Sequence, residues 1–348
     1  MLKKILSFSA LSAVLTGAMA QDSTKGTTTF TTSVDAYYRY DLANQGNNKT
    51  SFTNSINSFE LGMASIKVDH SFGKVSATAD LGFGRRAEEF SYVDAPGLGI
   101  GGTYNSLAAI KQAFISYQVS SKVKLTAGKW ATHVGWELVD AYANRNYSMS
   151  YGFSNGPFFH TGVKADISLG GKTALMVGIA NPTDFSTTTS QGKMAIAQLS
   201  TATKDDKLKV YLNYQGGTIA TTPATVKLSQ VDLVLNYAAS SKLGVVYNSS
   251  LQNVDGKSWS TNALYLNYDP TSTFGLTWRN EIFDDFNALK TGGTIFASTL
   301  SGNFKVGNLT IIPEFRLDNS SNKTFFLNKD GVGAKSASSF ILAATYKF

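Results

Sequence analysis

The residues Gly152-Phe153-Ser154-Asn155-Gly156 match the pattern G-x-S-x-G that surrounds the nucleophile of many serine hydrolases, and His160 follows shortly after them. In such enzymes the serine lies on a sharp turn between a buried strand and a helix. Here the motif is followed at once by Pro157, and the Gly-Pro pair breaks helices and marks turns. We therefore interpret these residues as a glycine-containing loop, with hydrolase chemistry at Ser154 as an alternative.

Histidines could supply a general base or a metal ligand, but the chain has only three of them and no cysteine. His133 and His160 bracket the segment 131–157, and we expect both to anchor its ends through hydrogen bonds. In an extended segment His160 lies on the same face as Lys164 and Asp166. A zinc site would need two or three further ligands at set spacing, and none is evident. We predict neither a metal nor a cofactor.

Residues 1–20 have the features of a secretory signal peptide. Lys3 and Lys4 precede a mostly apolar stretch, and Ala18-Met19-Ala20 is an A-x-A cleavage site. Cleavage would remove two of the 31 basic residues and leave 29 against 24 acidic residues, a net charge of +5. Residues 21–348 contain no linker-like segment and no apolar run of about 18 residues, so we predict a single domain without a helical membrane span.

The dominant pattern in residues 21–348 is strict alternation of apolar and polar residues. In residues 33–42 the apolar Val34 and Tyr38 alternate with the charged residues Asp35, Arg39 and Asp41, which places the two sets on opposite faces of a strand. The alternation predicts an all-β chain of about 16 strands, at residues 30–42, 56–70, 74–85, 108–119, 122–130, 158–169, 172–181, 193–202, 207–215, 225–239, 242–252, 258–268, 272–283, 294–306, 308–318 and 338–348.

The connectors between these segments alternate between short and long. The predicted long connectors are residues 43–55, 86–107, 131–157, 182–192, 216–224, 253–257, 284–293 and 319–337. Short periplasmic turns and long extracellular loops are typical of a transmembrane antiparallel up-and-down β-barrel. A secreted β-sandwich or β-helix is the alternative, but a continuous apolar stripe opposite a polar stripe favours lipid outside and water inside.

The last predicted strand carries aromatic residues on its apolar face, at Phe340, Tyr346 and Phe348. A final aromatic with another two residues before it resembles the β-signal that the barrel-assembly machinery reads in the outer membrane. An ordinary amphipathic strand is the alternative.

Residues 128–162 carry a more specific resemblance. The matching residues are Gly128-Lys129, Thr132-His133-Val134-Gly135, Glu137, and the stretches 144–150 and 156–162. They resemble the OmpL-like β-barrel porins (porin family 2) of Gram-negative outer membranes. The resemblance implies an outer-membrane location and porin function, and it is sharpest over about a tenth of the chain.

The segment 131–157 is the third long loop of the predicted barrel. Loops of this length are usually functional, and this one could pack on the inner wall and narrow the channel with Glu137, Asp140 and Arg145. A surface-exposed loop is the alternative. The remaining candidates for the pore wall lie on polar strand faces or at strand ends: Asp35, Arg39, Asp41, Arg86, Lys164, Asp166, Arg279, Glu281, Glu314 and Arg316.

The function expected from this pattern is passive diffusion of small hydrophilic solutes and ions through a water-filled pore, without enzymatic activity. The mixed signs of the wall charges argue against steep ion selectivity, and the net charge tilts it only weakly toward anions. The alternatives are an adhesin-type surface barrel without an open pore and an outer-membrane lipid hydrolase. Expected partners are outer-membrane lipid, lipopolysaccharide and the barrel-assembly machinery. A homo-oligomer such as a trimer is left open, and no nucleic-acid module is visible.

Overall fold

The chain forms sixteen antiparallel strands that close into one barrel. The computed structural model describes residues 26–94, 106–188, 191–220, 225–286, 288–289 and 293–348, so the predicted signal peptide lies outside the described residues. The barrel strands are β1 (Thr27–Asp41), β2 (Ser58–Phe72), β3 (Val75–Phe83), β4 (Ile110–Gln118), β5 (Val123–Ala131), β6 (Phe159–Gly170), β7 (Thr173–Ala180), β8 (Met194–Ala202), β9 (Leu208–Ala220), β10 (Val226–Ala238), β11 (Leu243–Val254), β12 (Lys257–Tyr268), β13 (Phe274–Phe286), β14 (Thr294–Val306), β15 (Leu309–Ser320) and β18 (Ser336–Lys347).

Each barrel strand pairs with its neighbour in the chain, and β18 closes the barrel by pairing with β1. The closing register places Val34 opposite Tyr346 and Asp35 opposite Thr345. The predicted fold class, an antiparallel up-and-down barrel of sixteen strands, is confirmed.

Few other elements are present in the described residues. Two short strands, β16 (Phe326–Leu327) and β17 (Gly333–Ala334), pair inside the last long connection. Two short α-helices, α1 (Arg85–Phe90) and α2 (Tyr151–Asn155), lie in the second and third long loops, and each of these loops also contains one 3₁₀ turn, Leu107–Ala109 and Ala141–Ala143. Within the described part of the chain, no helix has the length and apolar character needed to cross a membrane.

The two faces of each strand differ in the way that the alternation predicts. On β1, the side chains of Asp35 and Arg39 are buried, whereas Val34 and Tyr40 are 43% and 45% exposed on the outer surface. The polar face therefore points into the barrel and the apolar face points outward. This arrangement is the reverse of that in a soluble protein, whose interior is apolar. It is the arrangement expected for a barrel with lipid outside and polar groups inside.

The connections at the two ends of the barrel differ in length. Seven turns of two to five residues join strand pairs at the end predicted to be periplasmic, and longer loops join most pairs at the other end. One predicted long connector, 253–257, is instead the two-residue turn Asp255-Gly256. Both residues have positive φ, 48° and 81°, as a type I′ hairpin requires.

Aromatic side chains join the first three long loops inside the barrel. Phe52 of the first loop, Phe90 of α1 and Phe158 of the third loop belong to one buried cluster. The ring centroids of Phe52 and Phe158 are 5.6 Å apart, and those of Phe90 and Phe158 are 5.9 Å apart. The long loops thus form a packed body that fills part of the barrel interior.

Candidate functional site

The third long loop, residues 132–158, runs down the inside of the barrel. Near its start, the backbone N–H of Gly135 donates to Asp232 on β10 (3.1 Å) and that of Trp136 donates to Asn248 on β11 (3.2 Å). Further on, Arg145 forms a bidentate pair with Asp269 (3.0 and 2.8 Å), which lies in the turn after β12. Since that turn is at the periplasmic end, the loop spans the barrel nearly from mouth to mouth.

Two glutamates on the wall bind backbone amides of this loop. The carboxylate of Glu314 on β15 accepts from the N–H groups of Tyr147 (2.7 Å) and Ser148 (3.0 Å). The carboxylate of Glu281 on β13 accepts from those of Tyr151 and Gly152, both at 2.7 Å. Hydrogen bonds to an ionised carboxylate are stronger than neutral ones, so both contacts fix the loop on this wall.

Two arginines on the same wall bind the loop carbonyls between those amides. Arg279 donates to the carbonyl oxygens of Ser148 (2.7 Å) and Met149 (3.3 Å), and it pairs with Glu137 of the loop. Arg316 donates to the Met149 carbonyl (2.6 Å). The loop backbone therefore has charged partners for both its donors and its acceptors, as buried peptide groups require.

Arg86 does not lie on the barrel wall where it was expected, because α1 carries it out of β3. Its side chain is fully buried and donates to the carbonyl oxygens of Val139 (3.2 Å) and Tyr147 (3.3 Å). Its Nε lies 4.0 Å from the carboxylate of Asp35, which also accepts the Tyr147 hydroxyl hydrogen bond (2.5 Å). The third loop is thus bound by Arg86, which belongs to the second loop, and by Asp35, which belongs to β1.

Arg39 and Asp41 lie at the extracellular end of β1 and organise the first loop. The two side chains form an ion pair at 3.2 Å, and Arg39 donates to the carbonyl oxygen of Ser55 (2.9 Å). Asp41 accepts from the backbone N–H of Ala43 (3.0 Å). Both side chains are at most 4% exposed, so they contact loop atoms rather than open space.

Lys164 and Asp166 on β6 are the predicted wall residues that remain partly exposed. Their side chains are 19% and 32% exposed and lie 3.6 Å apart, and Asp166 also contacts Lys124 at 3.5 Å. The strand register places Lys164 opposite Thr126 of β5 and Asp166 opposite Met176 of β7, all on the inner face. These two inner-face side chains therefore keep part of their surface exposed, unlike the wall residues that bind the loop.

The third-loop charges Asp140 and Arg145 are paired with a wall residue and a turn residue, respectively. Asp140 contacts Lys111 of β4 at 2.6 Å, and Lys111 also contacts Asp80 of β3 at 3.0 Å. The guanidinium of Arg145 holds the pKa of Asp269 below its ordinary value. Most of these charged residues form hydrogen bonds or ion pairs that involve the long loops. Their role in lining a channel stays a prediction.

The two histidines lie together inside the barrel. Their rings are 5.1 Å apart, His133 Nε2 donates to the Tyr214 carbonyl oxygen (3.1 Å), and His160 Nε2 lies 3.1 Å from Thr132 Oγ1. Burial lowers the pKa of His133 to about 4, so it is neutral at pH 7. His160 thus contacts the start of the loop at Thr132, and His133 contacts the wall at β9. Their role in anchoring the loop stays a prediction.

Ser154 belongs to α2 rather than to an irregular loop, which corrects the sequence interpretation of this segment. The helix starts because Ser150 Oγ accepts from the Phe153 N–H, and it ends at Gly156 before Pro157. Ser154 Oγ donates to the Ser150 carbonyl (2.8 Å) and accepts from the Ser51 N–H (3.0 Å). With its hydroxyl used in this way, and with His160 bound to Thr132, no serine–histidine hydrogen bond forms.

An open cavity of about 890 Å³ lies at the extracellular side of the loops. Its charged lining residues are Arg85, Glu88, Glu89 and Asp184. Asp184 is buried and accepts from the N–H groups of Phe158 (2.7 Å) and Phe159 (3.1 Å), and burial raises its pKa to about 7. The described residues contain no group of three or more metal-ligating side chains.

Several residues that hold the loop were absent from the sequence-based candidates. Asp232, Asn248 and Lys111 bind it from the wall, and Asp269 binds it from a turn. Asp232 lies on the polar face of β10, so alternation could have identified it. Asp269 follows the end of β12, and alternation gives no signal for a turn residue.

The aromatic residues of the last strand lie on the outer surface, where Phe340, Tyr346 and Phe348 are 39%, 44% and 62% exposed. Their placement on the outward face agrees with the alternation in β18. Their role in assembly stays a prediction.

Comparisons with known proteins place this barrel among channels. The family described as "Putative beta-barrel porin-2, OmpL-like" matches residues 27–348. Among solved structures, the chain is similar to the outer membrane channel DcaP of Acinetobacter baumannii, with a TM-score of 0.65 and 10% identity over 94% of this chain and 99% of that chain. No curated protein matches the sequence.

Two further structures are similar over nearly their whole length. OmpF of Salmonella typhi, in complex with daunomycin, has a TM-score of 0.64 and 9% identity over 94% of this chain and 99% of that chain. An anion-selective porin from Comamonas acidovorans has a TM-score of 0.61 and 10% identity over 93% of this chain and 100% of that chain. At these identities the similarity concerns the fold.

Proposed function

Because the chain belongs to the OmpL-like β-barrel porin-2 family of the Gram-negative outer membrane, we propose that it forms a water-filled channel through which small hydrophilic solutes and ions diffuse passively. The single observation that carries this proposal is the position of the third loop. It is fixed to the wall from β10 through β15, and polar side chains on the wall of β5 and β6 stay partly exposed beside it.

The channel in this proposal runs between the loop and the wall that carries Lys164 and Asp166. Its width is set by the loop backbone, because Glu281 and Glu314 hold that backbone on the far wall. Solutes are sieved by size in this space and meet the field of the charges that line it. Glu137, Asp140 and Arg145 act here by positioning the loop.

A barrel without an open pore, serving as a surface adhesin, is the second candidate. The dense contacts of the third loop favour it, since buried aromatic clusters and ion pairs fill one side of the interior. The third alternative, a lipid hydrolase, finds no support at Ser154, whose hydroxyl binds two backbone groups.

The experiment that tests the proposal is single-channel recording of the refolded mature chain in a planar bilayer. Folding is checked first by heat-modifiable migration on a gel. Current steps of fixed size, larger when the loop contacts are weakened, are the expected result. A correctly folded barrel that gives no conductance at any voltage would overturn the channel and favour the adhesin.

A further inference from the structure

The periplasmic mouth of the barrel is rich in lysine residues. This mouth comprises the seven short turns and the inward-facing residues within four positions of a strand end there. It holds ten lysines, Lys74, Lys122, Lys124, Lys172, Lys204, Lys207, Lys209, Lys242, Lys305 and Lys347, against five aspartates, Asp69, Asp166, Asp205, Asp206 and Asp269. The mouth therefore carries a clear excess of positive charge.

Few of these lysines are neutralised by a neighbour. Lys124 pairs with Asp166, Lys172 with Asp206 and Lys207 with Asp205. Asp69 and Asp269 pair instead with Lys67 and Arg145, which lie outside this set. Within the described residues, seven of the ten lysines have no carboxylate within 4 Å: Lys74, Lys122, Lys204, Lys209, Lys242, Lys305 and Lys347.

Three of the unpaired lysines lie on inward-facing positions of the strands. Lys209 has the same parity on β9 as the buried Asn213. Lys305 has the parity of Asn303 on β14, and Lys347 has that of Thr345 on β18. The Lys347 ammonium lies 5.0 Å from the ring centroid of Tyr142 in the third loop, so it faces the interior where the loop reaches the mouth.

The cavity at the extracellular side of the loops differs from this mouth in its charged lining. The extracellular cavity is lined by one arginine, Arg85, and three carboxylates, Glu88, Glu89 and Asp184. The unpaired lysines of the mouth thus have no counterpart in the lining of this cavity.

We propose that the periplasmic mouth is the selectivity site of the channel and that Lys209, Lys305 and Lys347 make it pass small anions in preference to cations. The favoured solutes are chloride and small molecules that carry a carboxylate or phosphate group. This inference rests on the proposed channel function, and it adds the class of solute and the residues that select it.

Electrostatics gives the physical basis of the selection. Charges of one sign around a mouth raise the local concentration of counter-ions, and low-dielectric walls focus the field. The screening length is about 10 Å at 0.1 M salt and about 3 Å at 1 M, so the preference should weaken strongly at high salt. The anion-attracting mouth faces only one side of the membrane, so the current should also rectify.

The test measures the reversal potential of the refolded mature chain across a planar bilayer, with gradients of potassium chloride and then of potassium acetate. We expect a chloride-to-potassium permeability ratio above about 3 at 0.1 M salt, falling toward 1 at 1 M. The variant Lys209→Gln/Lys305→Gln/Lys347→Gln should bring the ratio near 1 at low salt, with acetate following chloride.

A matched variant controls for total charge. Lys257→Gln/Lys323→Gln/Lys329→Gln removes three exposed lysines at the extracellular end and should leave the ratio unchanged. If the change in β18 prevents folding, the double variant Lys209→Gln/Lys305→Gln gives the same readout with a smaller shift. A conducting channel that prefers cations, or whose ratio responds equally to both variants, overturns the anion proposal. Absence of conductance would overturn the channel itself.

Discussion

Glu281 on β13 and Glu314 on β15 bind the third loop in the same manner: each carboxylate accepts hydrogen bonds from two consecutive backbone N–H groups. The two bound amide pairs, 147–148 and 151–152, are separated by the segment whose carbonyls Arg279 and Arg316 bind. This alternation of carboxylate and guanidinium matches the polarity of the peptide backbone. The wall therefore fixes the loop through its main chain.

We predict that the double variant Glu281→Gln/Glu314→Gln loosens the third loop. Each glutamine would place an amide N–H₂ against a backbone donor. The free energy of unfolding should therefore fall by about 1.5–3 kcal/mol for each charged hydrogen bond that is lost. Single-channel recording should show a larger and noisier conductance, because the loop can then leave the wall.

The control for this change is Asp255→Asn/Asp330→Asn, which also removes two carboxylates, from exposed positions at the extracellular end. Its conductance should equal that of the unmodified chain. An unchanged conductance in the double variant would show that the loop is held by packing alone.

We predict that Gly62→Ala disrupts the hydrogen bond between the Tyr147 hydroxyl of the third loop and Asp35. A Cβ at Gly62 would lie 1.8 Å from Asp35 Oδ2 and 2.6 Å from the Tyr147 hydroxyl, so their hydrogen bond must break or β2 must shift. Such overpacking costs about 1–3 kcal/mol. Limited proteolysis of the folded barrel should then cleave the third loop faster.

Gly244→Ala is the matched change, since its nearest neighbour outside the adjacent residues, Asn267 Cβ, is 3.8 Å away. This variant should keep the cleavage rate of the unmodified chain. Equal rates in both variants would contradict the role of the Asp35–Tyr147 contact.

We predict that Asp184 makes stability fall as the pH rises. Its folded pKa of about 7 lies above its ordinary value of 3.8, so the fold favours the protonated acid. The stabilisation is full below about pH 3.8 and is lost as the pH rises through 7. His133, whose pKa is lowered to about 4, contributes with the opposite sign and loses its stabilisation on acidification.

The comparison of the unmodified chain with Asp184→Asn isolates this contribution, because asparagine resembles the neutral acid. The midpoint temperature of the heat-modifiable transition should fall between pH 4 and pH 8 more steeply in the unmodified chain. Parallel curves would mean that Asp184 stays ionised throughout.

We predict that Asn280→Leu stabilises the isolated barrel. Asn280 lies on the outward face of β13 between Trp278 and Ile282, which are 47% and 46% exposed, and it faces Ser298 of β14. An amide in hydrocarbon without full hydrogen bonding is unfavourable, so leucine should raise the unfolding free energy by about 1 kcal/mol.

Urea unfolding in lipid vesicles measures this change, with Ile282→Leu as a control for side-chain shape. A loss of stability together with a change of oligomeric state would contradict the prediction. It would show that another copy of the chain covers Asn280.

The alternation of residues predicted most of the fold. Period-two patterning assigns Asp35, Arg279 and Glu314 to the inner face whatever the loops do, because successive side chains of a strand point to opposite sides. The prediction of a long loop at 253–257 was wrong, because Asp255-Gly256 forms a tight two-residue turn there. The length of a connector depends on how far the two strands continue to pair, and alternation within one strand does not report that pairing.

What the sequence by itself determined is the barrel, its strand number and the polarity of its two faces, because these depend on periods of two residues within each strand. The path of the third loop was decided only by the tertiary structure. Tyr147 and Glu314 are 167 positions apart. Arg86 binds the carbonyl oxygens of Val139 and Tyr147 from α1, which begins after β3 has ended. No local period records contacts between such distant residues, so charges predicted to line a pore are found holding the loop inside it.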